Sequence, residues 1–138
     1  MIIQYCNFFI ICQNNEPITR NNKEQRKKQM FTRYQSEGFL TPIDGIEMKT
    51  LVYGENSLLT RFHLKKGSLL PAHAHPQEQT GVMVSGKIKL FIDGEAFIAG
   101  PGDAWSIKGG CEHRAEILED SVAIEVFSPL REDYLPKE

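Results

Sequence analysis

The chain is predicted to be an all-β domain, a sandwich or barrel of short strands, with a polar leader ahead of it. Three observations predict this. From about residue 46 onward, short runs of alternating apolar and polar residues are separated by Gly, Pro and Asp. No long 3.6-residue apolar pattern appears in that stretch. The strand-like runs recur at the close spacing typical of sandwiches and barrels.

The elements follow in chain order. Residues 1–35 read as a leader, poorly ordered or helical, and residues 36–138 as the domain. Positions 13–29 are almost wholly polar, with little apolar surface to pack against anything. The basic run Arg26-Lys27-Lys28 reads as solvated, and Met30 opens a stretch that looks like an ordinary protein start. Strands are expected at 46–53, 57–65, 79–85, 87–92, 95–99 and 121–128, with shorter ones at 69–75, 104–107 and 113–118. Val84-Ser85-Gly86-Lys87-Ile88 reads as a tight hairpin. Ile92-Asp93-Gly94-Glu95 reads as another, because Asp-Gly tolerates the positive φ such turns need. Gly100-Pro101-Gly102-Asp103 reads as a turn.

Parity adds detail. Ile88, Leu90 and Ile92 share one face of their strand and the lysines the other, so that strand is half-buried. In 121–128, Val122, Ile124 and Val126 share one face, while Ala123, Glu125 and Phe127 share the other. Both faces look buried, and one carries a carboxylate. A buried Glu beside a Phe needs a partner or a task. If Glu125 and Phe127 face a lumen, the valine–isoleucine stripe faces outward and is expected to meet a second subunit, giving a homodimer. Arg61 and His63 share a face of 57–65; they either line the pocket or, for His63, fill a hydrogen-bonded structural place. Trp105 and Met83 read as core or pocket wall.

Composition narrows the classes of function. With 16 basic and 18 acidic side chains, the net charge of −2 gives no broad pull toward nucleic acid. The first 30 residues hold five basic and two acidic groups, so a mildly acidic domain follows a basic leader. Cys6, Cys12 and Cys111 are too sparse for a disulfide framework, which favours a reducing, cytoplasmic setting. No apolar run reaches membrane-spanning length. The apolar start lacks the basic flank and cleavage site of a secretion signal.

The chemistry concentrates in the histidines. His73 and His75 are two apart, so an extended backbone points both the same way. Gln79 or Glu78, after a short bend, adds an oxygen, and His113 can return from a distant strand to complete a metal shell. Cys111 reads as a bystander.

Two spaced motifs carry a family likeness. Gly67-x5-His73-x-His75-x3-Gln79-x6-Gly86 resembles the first cupin motif, with Gln79 where Glu is usual. Gly102-x5-Lys108-x-Gly110-x2-His113-x3-Ile117 resembles the second, with Lys108 for the usual Pro and Ile117 for the usual Asn. The resemblance covers residues 40–136 and implies a jelly-roll β-barrel. Residues 75–81 (HPQEQTG), 113–116 (HRAE) and 125–134 (EVFSPLREDY) further resemble the KdgF group, small cupins of pectin and alginate breakdown. That likeness implies conversion of 4,5-unsaturated uronates to open-chain 5-keto-4-deoxyuronates. It implies His73, His75, Gln79 and His113 as metal ligands, and Glu125, Phe127 and Arg131 as the reacting site. Glu125 stands where the group has Asp, one methylene shorter.

Three imidazoles and an amide are neutral, so an ion held by them keeps its full charge as a Lewis acid. The set suits Ni, Zn, Fe, Mn or Co. Loss of the anomeric proton would open the ring and leave an enolate, with Glu125 as acid/base and Arg131 as a carboxylate clamp. Arg131 reads equally well as an ion pair with Asp133 or Glu132, and Phe127 as plain core. Two rival functions stay open. One is an iron- and O₂-dependent dioxygenase, which would want a carboxylate ligand. The other is a non-catalytic cupin binding a sugar acid or other small molecule.

Overall fold

The computed structural model describes residues 30–136. Within them lie ten strands: β1 (Leu40–Ile43), β2 (Ile46–Tyr53), β3 (Leu58–Leu64), β4 (Leu69–His73), β5 (Glu78–Ser85), β6 (Ile88–Ile92), β7 (Glu95–Ala99), β8 (Ala104–Ile107), β9 (His113–Ile117) and β10 (Ser121–Ser128). A short 3-10 turn, Glu132–Tyr134, follows β10. The all-β expectation holds, and every expected strand is present. β1 and the final turn were not foreseen, because the exposed Leu40–Ile43 run has no alternating core face to betray it. The leader's basic run and Cys6 and Cys12 lie outside the described residues. Among those described, no helix is long and apolar enough to cross a membrane.

The strands form two antiparallel sheets, ordered β1-β2-β3-β10-β5-β8 and β4-β9-β6-β7. From β3 on, the chain repeatedly steps from one sheet to the other, so sequence neighbours seldom pair. This is a jelly roll. The one tight hairpin in that stretch is β6–β7, where Ile92 faces Glu95. Its turn residues Asp93 and Gly94 have φ of 50° and 82°, the left-handed geometry the Asp-Gly pair was read for.

The hairpin expected at Gly86 is not one. β5 pairs with β10 and β8, whereas β6 pairs with β7 and β9. Gly86 instead turns the chain between sheets at φ 84°. A side chain there would collide with the Asp120 carbonyl and the Ser121 hydroxyl. Ser121 Oγ in turn accepts the Lys87 N–H at 3.0 Å. The Gly therefore permits a close backbone crossing, a different use of the same conformational freedom.

The core lies between the sheets. Ile46, Leu64, Met83, Ile88, Leu90 and Ile117 fill it, with further apolar residues around them. Fully burying a side chain of this size contributes about 1.5–3 kcal/mol. A cup opens beside the core, lined by core residues such as Leu64 and Leu90 and by His73, Gln79, His113 and Glu125. β10 sits centrally in the larger sheet, between β3 and β5. Its inward residues Ala123, Glu125 and Phe127 are buried. Its outward residues form the apolar stripe expected on that face: Val126 is 37% exposed, and Val122 and Ile124 are half-buried within one chain.

Arg61 and His63 also face outward. Their strand turns Leu58, Thr60 and Leu64 inward. His63 stacks on Phe39 at 4.3 Å between ring centroids, and its Nε2 accepts the Arg61 Nε–H at 3.2 Å. It is a structural histidine on the outer face, as one of the two readings held.

Candidate metal centre

Three elements bring the histidines together. His73 ends β4 and lies opposite His113 at the start of β9. β4 is shorter than expected, so His75 sits beyond it, in the connection to β5. Gly110 N–H donates to the His75 carbonyl at 2.8 Å. A side chain at Gly109 would strike the Pro76 carbonyl. The β8–β9 loop thus clips the His75 loop in place, which explains why glycines recur there.

Each imidazole is oriented by its own neighbourhood. His73 Nδ1 lies 2.8 Å from the Pro71 carbonyl, His75 Nδ1 3.0 Å from the Gln77 carbonyl, and His113 Nδ1 2.9 Å from the Cys111 carbonyl. A carbonyl only accepts, so each Nδ1 carries the proton and each Nε2 keeps a lone pair. Cys111 contributes through its backbone, not its thiol. One ligand atom from each of the three histidines lies within 4.8 Å of the others. His113 is 2% exposed, and its Nε2 is buried without a hydrogen-bond partner. Burial holds His113 down to about 4 and lowers His75 as well, with the Arg131 charge assisting.

Gln79, the first inward residue of β5, joins this group. Its Oε1 lies 3.1 Å from His75 Nε2. With the His75 proton on Nδ1, both facing atoms are lone-pair acceptors. A cation between them resolves that opposition; a hydrogen bond cannot. The orphaned His113 Nε2 has the same need. The cluster can hold a metal ion, and its neutral N/O donor set fits a divalent transition ion. No carboxylate joins it among the described residues; Glu78 faces outward and is exposed.

A second wall faces the histidines. Gln79 Nε2 donates to Glu125 Oε1 at 2.7 Å, and Trp105 Nε1 donates to the same oxygen at 3.1 Å. Burial pushes the Glu125 carboxyl up to about 7, opposed by those two hydrogen bonds and by Arg131. Phe127, 1% exposed, packs edge-on to His75 at 5.6 Å between centroids.

The family evidence meets this geometry directly. A family model described as a cupin domain matches residues 60–128. The pectin degradation protein KdgF of Dickeya dadantii (strain 3937) is 31% identical over 94 residues, which cover 67% of this chain and 86% of that protein. The chain is a KdgF-like cupin. KdgF from Halomonas sp. superposes with a TM-score of 0.72 at 28% identity, covering 76% of this chain and 97% of that one. An RmlC-like cupin from Shewanella frigidimarina NCIMB 400 also superposes at 0.72, over 76% of this chain and 95% of that one; at 23% identity it speaks for the fold alone.

The cupin's C-terminal segment closes the cup. Arg131 lines it, with a side chain only 14% exposed. Its Nε and Nη2 donate to Asp133 at 3.1 and 2.7 Å, so the ion pair weighed from the sequence exists. The guanidinium also lies 3.8 Å from the Tyr134 ring centroid and 5.4 Å from that of Phe127. Thr50 Oγ1 anchors the segment by donating to the Tyr134 carbonyl at 2.6 Å. Sequence reasoning missed Tyr134 and Asp133 as site residues, and it missed the hydrogen bond made by Trp105. Tyr134 and Asp133 belong to the 125–134 phrase. Trp105 is the chain's one tryptophan, a large donor-bearing ring set opposite Gly81.

Proposed function

We propose that this cupin opens and ketonises 4,5-unsaturated uronates, using a divalent metal held by His73, His75, Gln79 and His113. One observation carries the reading. The amide of Gln79 joins the histidine cluster on one side to a buried carboxylate, Glu125, on the other. A proton-handling group and an oxyanion-binding centre thereby share one small cup. The pectin-degradation name of the Dickeya relative supplies the substrate class.

When bound, the metal supplies Lewis-acid stabilisation of negative charge on oxygen. The chain's residues supply the rest. In ring opening, the proton leaves the anomeric hydroxyl, C1–O5 breaks, C1 becomes an aldehyde and O5 becomes the enol oxygen at C5. In ketonisation, the C4=C5 π pair takes a proton at C4, and a lone pair on the enolate oxygen becomes the C5=O bond. Glu125 is the proton carrier. A carboxyl poised near 7 can both take and give a proton at neutral pH. Arg131 spends two N–H groups on Asp133. Its remaining donors are free of described hydrogen-bond partners and can hold the substrate carboxylate. Phe127 presents an apolar edge to the sugar. Among the described residues no carboxylate joins the histidine cluster, and Gln79 stands in its place, which favours this reading over the dioxygenase.

The outward stripe of β10, with Val82 at 37% and Val84 at 48% exposure on β5, is proposed to meet a second copy. Light scattering showing a monomer at working concentration contradicts that part alone. The activity is tested by mixing metal-loaded protein with fresh unsaturated uronate and following the ultraviolet absorbance of the conjugated alkene. Decay faster than the spontaneous rate is expected. An unchanged rate removes the catalytic reading and leaves a binding cupin.

A further inference from the structure

The row of residues across the larger sheet at Glu125 has a gap. Glu125 on β10 lies opposite Gly81 on β5, and Gly81 lies opposite Trp105 on β8. With no side chain at 81, the indole lies over the β5 backbone and reaches the next strand. A Cβ on Gly81 would stand 2.5 Å from Trp105 Cε2 and 2.6 Å from Nε1. Those contacts are too close to tolerate, so the indole would have to move.

The reach has a logical consequence for the amide of Gln79. An indole N–H can only donate. Its bond to Glu125 Oε1 therefore favours that oxygen as the unprotonated, stronger acceptor and leaves any carboxyl proton to the other oxygen. Gln79 meets the same oxygen, so it must present its NH₂ there. Its carbonyl oxygen is then turned toward His75 and the cluster.

We infer that Trp105, admitted by Gly81, is a positioning residue of the metal centre, selecting the amide orientation of Gln79 through Glu125. The inference rests on the metal-binding half of the proposed function and not on the uronate reaction. Outer partners of this kind typically change metal affinity by about 10–100-fold.

The test uses the full chain, stripped of metal and titrated with Co(II), with affinity read by chelator competition and geometry by visible absorbance. Trp105→Phe keeps a ring and removes the donor. It should bind Co(II) about 10-fold more weakly, with an altered absorbance band. Gly81→Ala should reproduce that loss. The double variant should add little to either single change, since both act through one hydrogen bond.

A measurement on the unaltered protein does not depend on those variants folding. The only indole N–H signal in a ¹⁵N spectrum should be protected from exchange and should move when Zn(II) is added. Full Co(II) affinity with an unchanged band in folded Trp105→Phe overturns the inference alone. So does full additivity of the two substitutions, or a rapidly exchanging indole signal that Zn(II) leaves in place. Failure of the unaltered chain to bind Co(II) overturns both this inference and the metal reading beneath it.

Discussion

The two walls of the cup are built by different means. On the histidine wall, each ring is fixed by a carbonyl two residues away. On the carboxylate wall, the fixing bonds join residues 46 and 20 positions apart, Gln79 to Glu125 and Trp105 to Glu125. On the first wall ring orientation is local, while β4–β9 pairing and the β8–β9 loop bring the rings together. The second exists only once β5, β8 and β10 are paired in register. A local wall should tolerate losses elsewhere in the cup, whereas a cooperative wall should fail as a unit.

Substitutions can separate the two. Glu125→Ala should cause the largest loss of rate, about 10²–10⁴-fold in kcat on unsaturated uronate, while metal stays bound at reduced affinity. Metal content equal to wild type together with full activity would remove Glu125 from the mechanism. His113→Ala should do the reverse on the other wall. It should weaken metal binding by more than ~100-fold, beyond what outer partners cost, while a thermal scan still shows a cooperative transition. Retention of tight binding would show that the buried Nε2 is not a ligand.

The carboxylate wall also predicts a dependence on pH in metal-free protein. The Glu125 carboxyl is raised in the fold to about 7, whereas an unfolded glutamate titrates near ~4.3. Its contribution is therefore fully present below the unfolded value and is lost as pH rises through about 7. Relative to Glu125→Gln, the wild type should lose up to ~1.4 kcal/mol per pH unit between ~4.3 and about 7, and nothing further above that. Parallel stability curves in chemical denaturation would mean the carboxyl is not held in its neutral form. The smallest effect belongs to the C-terminal segment. Asp133→Asn should weaken the fork that orients Arg131, raising KM up to ~5-fold with kcat little changed.

The same contrast decides what could be read from the chain. The histidines and Gln79 were legible because their spacing is their geometry: His73 and His75 precede a bend, and Gln79 is the first inward residue after it. The inward set of β10 was legible by parity. The outward set was legible by the same parity, but Val122, Ile124 and Val126 are as apolar as a buried face and nothing local says what covers them. Gly86 was read as a hairpin because positive φ serves a turn and a sheet crossing alike. Trp105 was seen only as wall. Its bond depends on a glycine 24 positions earlier and on a register that no local pattern states. The structural place read for His63 is the one it takes, and the pocket place weighed for Arg61 and His63 fails because their strand turns Thr60 and Leu64 inward.

The central claim is a single ion held jointly by both walls, and crystals of metal-loaded protein measured at the absorption edge of the added ion test it most directly. One anomalous peak is predicted, about 2.0–2.2 Å from the Nε2 atoms of His73, His75 and His113 and at a similar distance from Gln79 Oε1. A peak elsewhere, or none at saturating metal, would contradict it.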